Sequence, residues 1–411
     1  MAQGQLCGVA TQPAFAEEGC AVKPEFPLEG VRVLDLSRVL AGPYAARMLS
    51  DLGADVVKVE PPEGDVTRNW GKVVAGLSGY YTQQNVGKRN ISIDLRRPSA
   101  PDLVRELAAR ADIVIENFRP GVLASYGLAY ADLSRAHPRL IMLSISGWGQ
   151  HGPASGRAAY AAVVHAESGV MARQGSMFRS GPKDVPVSIA DMNAGLHGLS
   201  AVLAALFMRE RTGRGQHIDI AMADTMLATD DHVHLALDEE SLQRPFASEV
   251  WETSFGHVVL AGDFRFLFRE AVAHCGLVDP TPAGASLEEK IALRRRVFGE
   301  LLASFPDMAS LGAALDRANI AWGQVLTTYD AVKSETSQHR NTVAETDDRA
   351  GGVRRVIQSP YRFSAAKSGL RGPAPFRGEH NASVLREWLD RSPSQIAQLE
   401  SAGVLLAERR D

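Results

Sequence analysis

Residues 31–59 read VRVLDLSRVLAGPYAARMLSDLGADVVKV, and the spacing of their apolar residues sets the fold class. Val31–Leu36 is an apolar run of strand length, and Pro43–Leu52 repeats its apolar residues at helical spacing. Asp55–Val59 is strand-like again and stops at Pro61-Pro62. The unit then recurs. Asn90–Leu95 (NISIDL) alternates like a half-buried strand, Pro101–Ala111 is an amphipathic helix, and Asp112–Ile115 (DIVI) is a strand. Leu140–Ile145 (LIMLSI) makes a further strand after a helical turn at Ser134–His137. Strand, helix and strand in units of this length predict right-handed crossovers and an α/β fold, a parallel sheet covered by helices.

Further along, Val185–Ala190 (VPVSIA) reads as a strand ending at Asp191, followed by a long helix over Asn193–Arg211 that stops at Thr212-Gly213-Arg214-Gly215. Small residues (Ala194, Gly195, Gly198, Ser200, Ala201) line its first half, so another backbone or a ligand can come close. His217–Met222 is strand-like, and a helical stretch runs from Ala223 into Ala236. Residues near 238–250 are polar and irregular and read as a crossing into a second domain. There His257–Ala261 and Ile320–Leu326 are strands, while Phe264–Cys275, Lys290–Phe305 and Met308–Ala318 are helices. From Ser359 extended segments precede helices near Ala382–Trp388 and Ser394–Ala402.

The chain of 411 residues fits two domains, and 44 basic against 48 acidic residues leave a net charge of −4. That balance provides no electrostatic footprint for nucleic acid or an anionic membrane. No uninterrupted apolar run of bilayer length stands out, so no membrane span is predicted. Cys7, Cys20 and Cys275 are far apart, which argues against a disulfide scaffold or a thiolate metal site and suits a reducing cytoplasm. Residues 1–27 have neither signal-peptide features nor periodicity and read as an N-terminal arm.

No GxGxxG follows the first strand, where Ala41-Gly42-Pro43 stands, and no GxxxxGK[ST] occurs. Asp191, between a strand end and a helix start, either caps the helix or presents a carboxylate nucleophile where open α/β sheets bind ligands. Glu116–Gly121 (ENFRPG) either closes a βα unit or offers Asn, an aromatic ring and Arg to a nucleotide. Lys88-Arg89 and Arg96-Arg97 are a solvated face or a basic edge for a polyphosphate. Trp70 is packing or an aromatic gate. His165, His197 and His217 lack partners at metal-ligand spacing and read as structural, so no metal is expected. Ser146–Gln150 (SGWGQ) lacks the order of a nucleophile elbow.

Taken together, the segments resemble family III CoA-transferases, the group of formyl-CoA and carnitine CoA-transferases and related methylacyl-CoA racemases. The matching segments are Leu28–Asp35 (LEGVRVLD), Ala41-Gly42-Pro43, Leu52–Glu60 (LGADVVKVE), Gly64–Arg68 (GDVTR), Asn85–Leu95 (NVGKRNISIDL) and ENFRPG. Gly147-Trp148-Gly149, Ala190–Gly195 (ADMNAG), Arg211–Met222 (RTGRGQHIDIAM), Pro373–His380 (PAPFRGEH) and Gly403-Val404-Leu405 complete the series in order. The resemblance implies an interlocked homodimer with a large Rossmann-like domain built from both chain ends and a smaller α/β domain. In this chain the large CoA-binding domain would take residues 28–225 and 351–411, and the small domain with its linkers 226–350. It implies transfer of CoA from an acyl-CoA to a carboxylic acid through an aspartyl-CoA intermediate on Asp191, in the cytoplasm, with acyl-CoA as substrate and no permanently bound cofactor. Asn117, Phe118, Arg119 and Arg96 would contact the CoA nucleotide, Val39 and Leu40 the pantetheine or acyl end, and Trp70 would be the gate.

Two departures matter. Tyr160-Ala161 stands where the racemases carry His-Asp and transferases often have Tyr with an acid. Without the histidine, paired-base racemisation has lost a partner, and Ala161 removes the supporting acid. Trp251–Gly256 (WETSFG) stands where formyl-CoA transferase has a glycine-rich lid, which argues against assigning formate and oxalate. A racemase-like enzyme and a non-catalytic acyl-CoA-binding relative remain the alternatives.

Overall fold

In the computed structural model, residues 25–178, 180–238 and 248–408 are described; most of the expected N-terminal arm and of the expected crossing near 238–250 lies outside them. Six parallel strands form the main sheet: β1 Arg32–Asp35, β2 Asp55–Glu60, β3 Arg89–Ser92, β4 Ile113–Glu116, β5 Ile141–Ser146 and β6 His217–Ala221. Their order is β3-β2-β1-β4-β5-β6. The chain thus winds outward from β1 in one direction and resumes beside β1 in the other, the doubly wound order whose reversal leaves a crevice between the carboxyl ends of β1 and β4.

Helices cover both faces, so the strands are hydrophobic on both sides rather than alternating. Val33, Val56 and Ile113 share one core with α1 (Ala41–Asp51), the short α3 (Ala161–Glu167) and the long α4 (Ile189–Thr212). Leu34, Val57 and Val114 face α2 (Ala100–Ala108) and the C-terminal helix Asn381–Leu389, which brings Val384, Leu385 and Trp388 into the same core. Leu405 bridges Ile93 in antiparallel fashion beside β3, and the Asp94 amide reaches the Val404 carbonyl at 3.0 Å.

α4 lies close because its small residues admit it. A Cβ on Gly195 would meet the Ala41 carbonyl at 2.8 Å, and one on Gly198 would meet Leu143 at 2.9 Å. The close approach expected of this stripe is therefore to α1 and β5. Gly213 ends the helix in the left-handed region at φ 69°, its amide bonded to the Arg209 carbonyl. By length and composition alone α4 is long and apolar enough to cross a membrane; here one face of it packs into the core on α1 and β5.

One expected strand is absent. Val185–Ser188 is irregular, and α4 begins at Ile189, so Asp191 is the third residue of a helix and not a cap after a strand. Alternation over so few residues cannot separate a strand from a loop entering a helix. Pro186 removes an amide from any ladder, and Val187 is exposed.

A second core is built on an antiparallel sheet of Ser248–Thr253, Gly256–Ala261 and Ala321–Gln324. Helices Phe264–His274, Leu287–Ser304 and Met308–Arg317 pack on it through Leu267, Phe298 and Leu311. Trp251 lies edge-on to Phe298 at 4.9 Å, so WETSFG is a strand end and hairpin turn of this core. A further hairpin, Val343–Asp347 with Val353–Ile357, was not legible as strands.

Candidate active site

The crevice at the strand-order reversal is the starting point. The loop leaving β1 and the loop leaving β4 part there, and Asn117 ties them together. Its side-chain oxygen accepts from the Arg38 amide at 2.8 Å, and its nitrogen donates to the Arg38 carbonyl at 2.8 Å. The Arg38 guanidinium lies 5.6 Å from the centre of the Phe118 ring. A cleft of about 790 Å³, open to solvent, runs from Arg38, Asn117, Phe118 and Arg119 past Ser146 and Arg157 to Tyr160 and Asp191.

A second hollow of about 670 Å³ opens on the far side of Asp191. Leu40, Trp70, Tyr80, Ala162, His165 and Val187 line it, and it shares Val39, Tyr160 and Asp191 with the first. Asp191 therefore stands where two spaces meet, one edged by arginines and one by aromatic and aliphatic groups. Trp70 meets Tyr80 edge-on at 5.1 Å and is partly exposed.

Burial pushes the Asp191 carboxyl up to about 6, against the backbone amides of Ala41 and Ala161 and its own amide, which favour the charged form. Ala41 and Ala161 are the first residues of α1 and α3, so their amides have no partner within their own helices. Position 161, where no acidic side chain stands, contributes its backbone. Near pH 7 such a carboxylate is mostly ionised yet more basic than an ordinary aspartate, a favourable setting for a nucleophile. The Tyr80 hydroxyl is pushed up to about 12 by burial and by the nearby charges of Asp191 and Asp65, so it keeps its proton.

The loop that delivers Ala41 is held from beneath. Val39 sits in the left-handed region at φ 68°, an unusual state for a β-branched residue. Asp65 accepts from the Val39 amide at 3.1 Å, and Lys58 reaches the Ser37 carbonyl at 2.8 Å and Asp65 at 3.2 Å. Asp35 takes the Ser37 hydroxyl and amide and is paired with Lys88 at 2.9 Å. Asp65 also caps the turn Val66–Asn69 that ends at Trp70, accepting from the Thr67 amide.

Of the residues expected at a site, Val39, Leu40, Trp70, Asn117, Phe118, Arg119, Tyr160 and Asp191 line these two spaces. Asn117 has its side chain committed to the Arg38 backbone. Arg96 does not line either space; its guanidinium pairs with Asp94 at 2.7 Å and Glu63 at 3.1 Å. Sequence reasoning missed Arg38, Tyr80 and Arg157, and weighed Ser146 only as a nucleophile elbow. Arg157 pairs with Glu167 at 2.5 Å, lies 4.8 Å from the Trp148 ring centre, and carried no motif. Ser146 ends β5, and its hydroxyl is buried without a hydrogen-bond partner among the described residues.

Comparison with known proteins adds three findings. The profile described as CoA-transferase family III matches residues 28–381. Succinate–glutarate CoA-transferase of Agrobacterium fabrum is 35% identical over 386 residues, covering 88% of this chain and 95% of that protein. Succinyl-CoA:glutarate CoA-transferase of Homo sapiens is 32% identical over 399 residues, covering 92% and 90%. Among solved structures, a CAIB/BAIF family protein of Brucella suis superposes with a TM-score of 0.77 at 32% identity, covering 89% of this chain and all of that one.

Proposed function

The chain belongs to CoA-transferase family III, and from that premise we propose that Asp191 carries the CoA between donor and acceptor as an aspartyl-CoA thioester. Transfer of CoA between an acyl-CoA and a carboxylic acid is the activity of the family; the covalent course is our reading. The observation that carries it is a basic, partly buried carboxylate at the junction of two spaces, with helix-start amides pointed at it.

In this course an Asp191 oxygen attacks the thioester carbonyl carbon, the C–S bond breaks, and an anhydride and CoA thiolate form. The thiolate attacks the Asp191 carboxyl carbon and expels the donor acid, which leaves with the former aspartate oxygen. The acceptor carboxylate then attacks the aspartyl thioester, and the returning thiolate takes the acceptor acyl group and frees Asp191. No net proton is consumed. The amides of Ala41 and Ala161 would hold the oxyanions formed on the way.

We place the CoA nucleotide by Arg38, Phe118, Arg119 and Arg157 and the acid substrate by Leu40, Trp70, Tyr80 and Tyr160, with no permanent cofactor. The relatives named for succinate and glutarate support small carboxylic acids as substrates. We read the doubly wound unit as a Rossmann-like domain of residues 28–225 and 351–411, the second core as the small domain within 226–350, and the assembly as a cytoplasmic, interlocked homodimer. Support for a second copy comes from the exposed Tyr160 and Val187 at the hollow and Phe207 and Met208 on α4.

Intact-protein mass spectrometry after acyl-CoA addition tests the covalent course. A CoA-bearing adduct should appear on the parent, disappear with hydroxylamine, and be absent in Asp191→Ala together with turnover. An adduct that survives that substitution overturns it.

A further inference from the structure

The first turn of α4, which carries Asp191, obtains its cap from another helix. The amides that open a helix need partners outside its own ladder. Ile189 donates to the Val187 carbonyl at 2.8 Å, the Asp191 amide supports its own carboxylate, and Met192 begins the ladder itself at the Ser188 carbonyl at 3.1 Å. Ser188, in the capping position, makes no side-chain cap bond. The remaining amide, that of Ala190, donates to Nε2 of His165 at 3.1 Å. A ring that accepts at Nε2 carries its proton on Nδ1, and Nδ1 lies 2.8 Å from Oδ1 of Asp184. Asp184 belongs to the irregular segment that leads into α4, and the His165 side chain is 1% exposed.

We propose that His165, oriented by Asp184, is a positioning residue for Asp191: it caps the amide next to the nucleophile and ties α3 to the segment entering α4. The proposal rests on the reading of Asp191 as nucleophile. α3 thus grips the nucleophile twice, through the His165 ring at Ala190 and through the Ala161 amide at the carboxylate itself. Losing the ring frees the first turn to shift, and displacements of about 1 Å at a reacting group cost on the order of 100-fold.

The test compares His165→Leu, His165→Gln and His165→Asn in the full-length protein, reading single-turnover adduct formation, KM for acyl-CoA and thermal unfolding. Gln can present its carbonyl to Ala190 and its amide to Asp184; Leu can do neither, and Asn is one methylene shorter. His165→Leu should slow adduct formation about 10- to 100-fold with KM within about twofold, and His165→Gln should recover most of the rate. Equal rates for parent and Leu, equal rates for Gln and Leu, or a loss confined to KM would each overturn the proposal. Should the Leu variant fail to fold, the Gln–Asn pair decides: Gln faster supports it, and equal rates overturn it. Asp191→Asn is run alongside, because an adduct there defeats the nucleophile reading, whereas normal His165→Leu with dead Asp191→Asn defeats only this one.

Discussion

Two sets of carboxylates lie on opposite sides of one loop, and burial acts on both in the same direction. Behind residues 36–40, Asp35, Glu60 and Asp65 are held below the ordinary carboxylate range although burial alone would raise them. Lys88 and Lys58 lower Asp35, Arg68 and Lys58 lower Glu60, and Lys58 with the Thr67 amide lowers Asp65. In front of the loop, Asp191 has no salt bridge among the described residues, only backbone amides, and it rises to about 6. The presence or absence of a cation separates a carboxylate that holds structure from one available for chemistry.

Removing a cation should break that contrast most strongly. Lys58→Met leaves Asp65 and Asp35 short of a buried partner, which costs about 3–5 kcal/mol in urea unfolding near neutral pH. The pH dependence should also turn over. In the parent the lowered carboxylates stabilise the fold above the unfolded value of about 4, and that contribution is lost as pH falls toward the depressed values. An unpaired Asp65 instead prefers its proton, so on acidification from about pH 7 to 5 the variant should gain more stability than the parent does. A loss under about 1 kcal/mol would mean that the cluster does not hold the loop.

Asp191→Asn sharpens the contrast from the other side, with opposite sign. A folded value of about 6 against an unfolded one near 3.8 means that the folded chain holds this proton between those values. The ionised side chain therefore costs nothing below about pH 4, and the cost grows to about 3 kcal/mol above about pH 6. Asparagine carries no such cost. The stability gap between variant and parent should open in the variant's favour from near zero at about pH 4 to about 3 kcal/mol at about pH 8. A gap of constant size across this range would place the Asp191 carboxyl in an ordinary environment.

The same contrast explains what was legible beforehand. Parallel β and helical periods of the main sheet stand in the sequence because both strand faces are buried, so VRVLDL and LIMLSI are near-continuous. Strands with one exposed face, Ser248–Thr253 and Val343–Asp347, carry no such apolar run. Asp191 stood out as a carboxylate between an apolar run and a long helix, and the resemblance favoured a nucleophile over a cap, though its place was read as a strand end. Arg38, Tyr80 and Arg157 reach the two spaces only through the fold, from loops and a helix with no shared spacing. Asn117 was legible as a site residue, but its bonds to Arg38 depend on which strands became neighbours.

The smallest effect concerns the loop that separates the two sets. Val39 pays for its left-handed conformation, at φ 68°, with strain of about 1–2 kcal/mol. Val39→Gly removes that strain, while the freer unfolded chain takes back about 0.5–1 kcal/mol. The side chain is only half-buried, so little packing is lost, and the amide that bonds Asp65 remains. Stability should therefore stay within about 1 kcal/mol of the parent, on the favourable side. Turnover should fall all the same, because the Val39 side chain is a wall of both spaces at Asp191. A drop in stability of more than about 2 kcal/mol would show that the residue is not strained; unchanged turnover would show that the loop serves the ion cluster behind it and not the carboxylate in front.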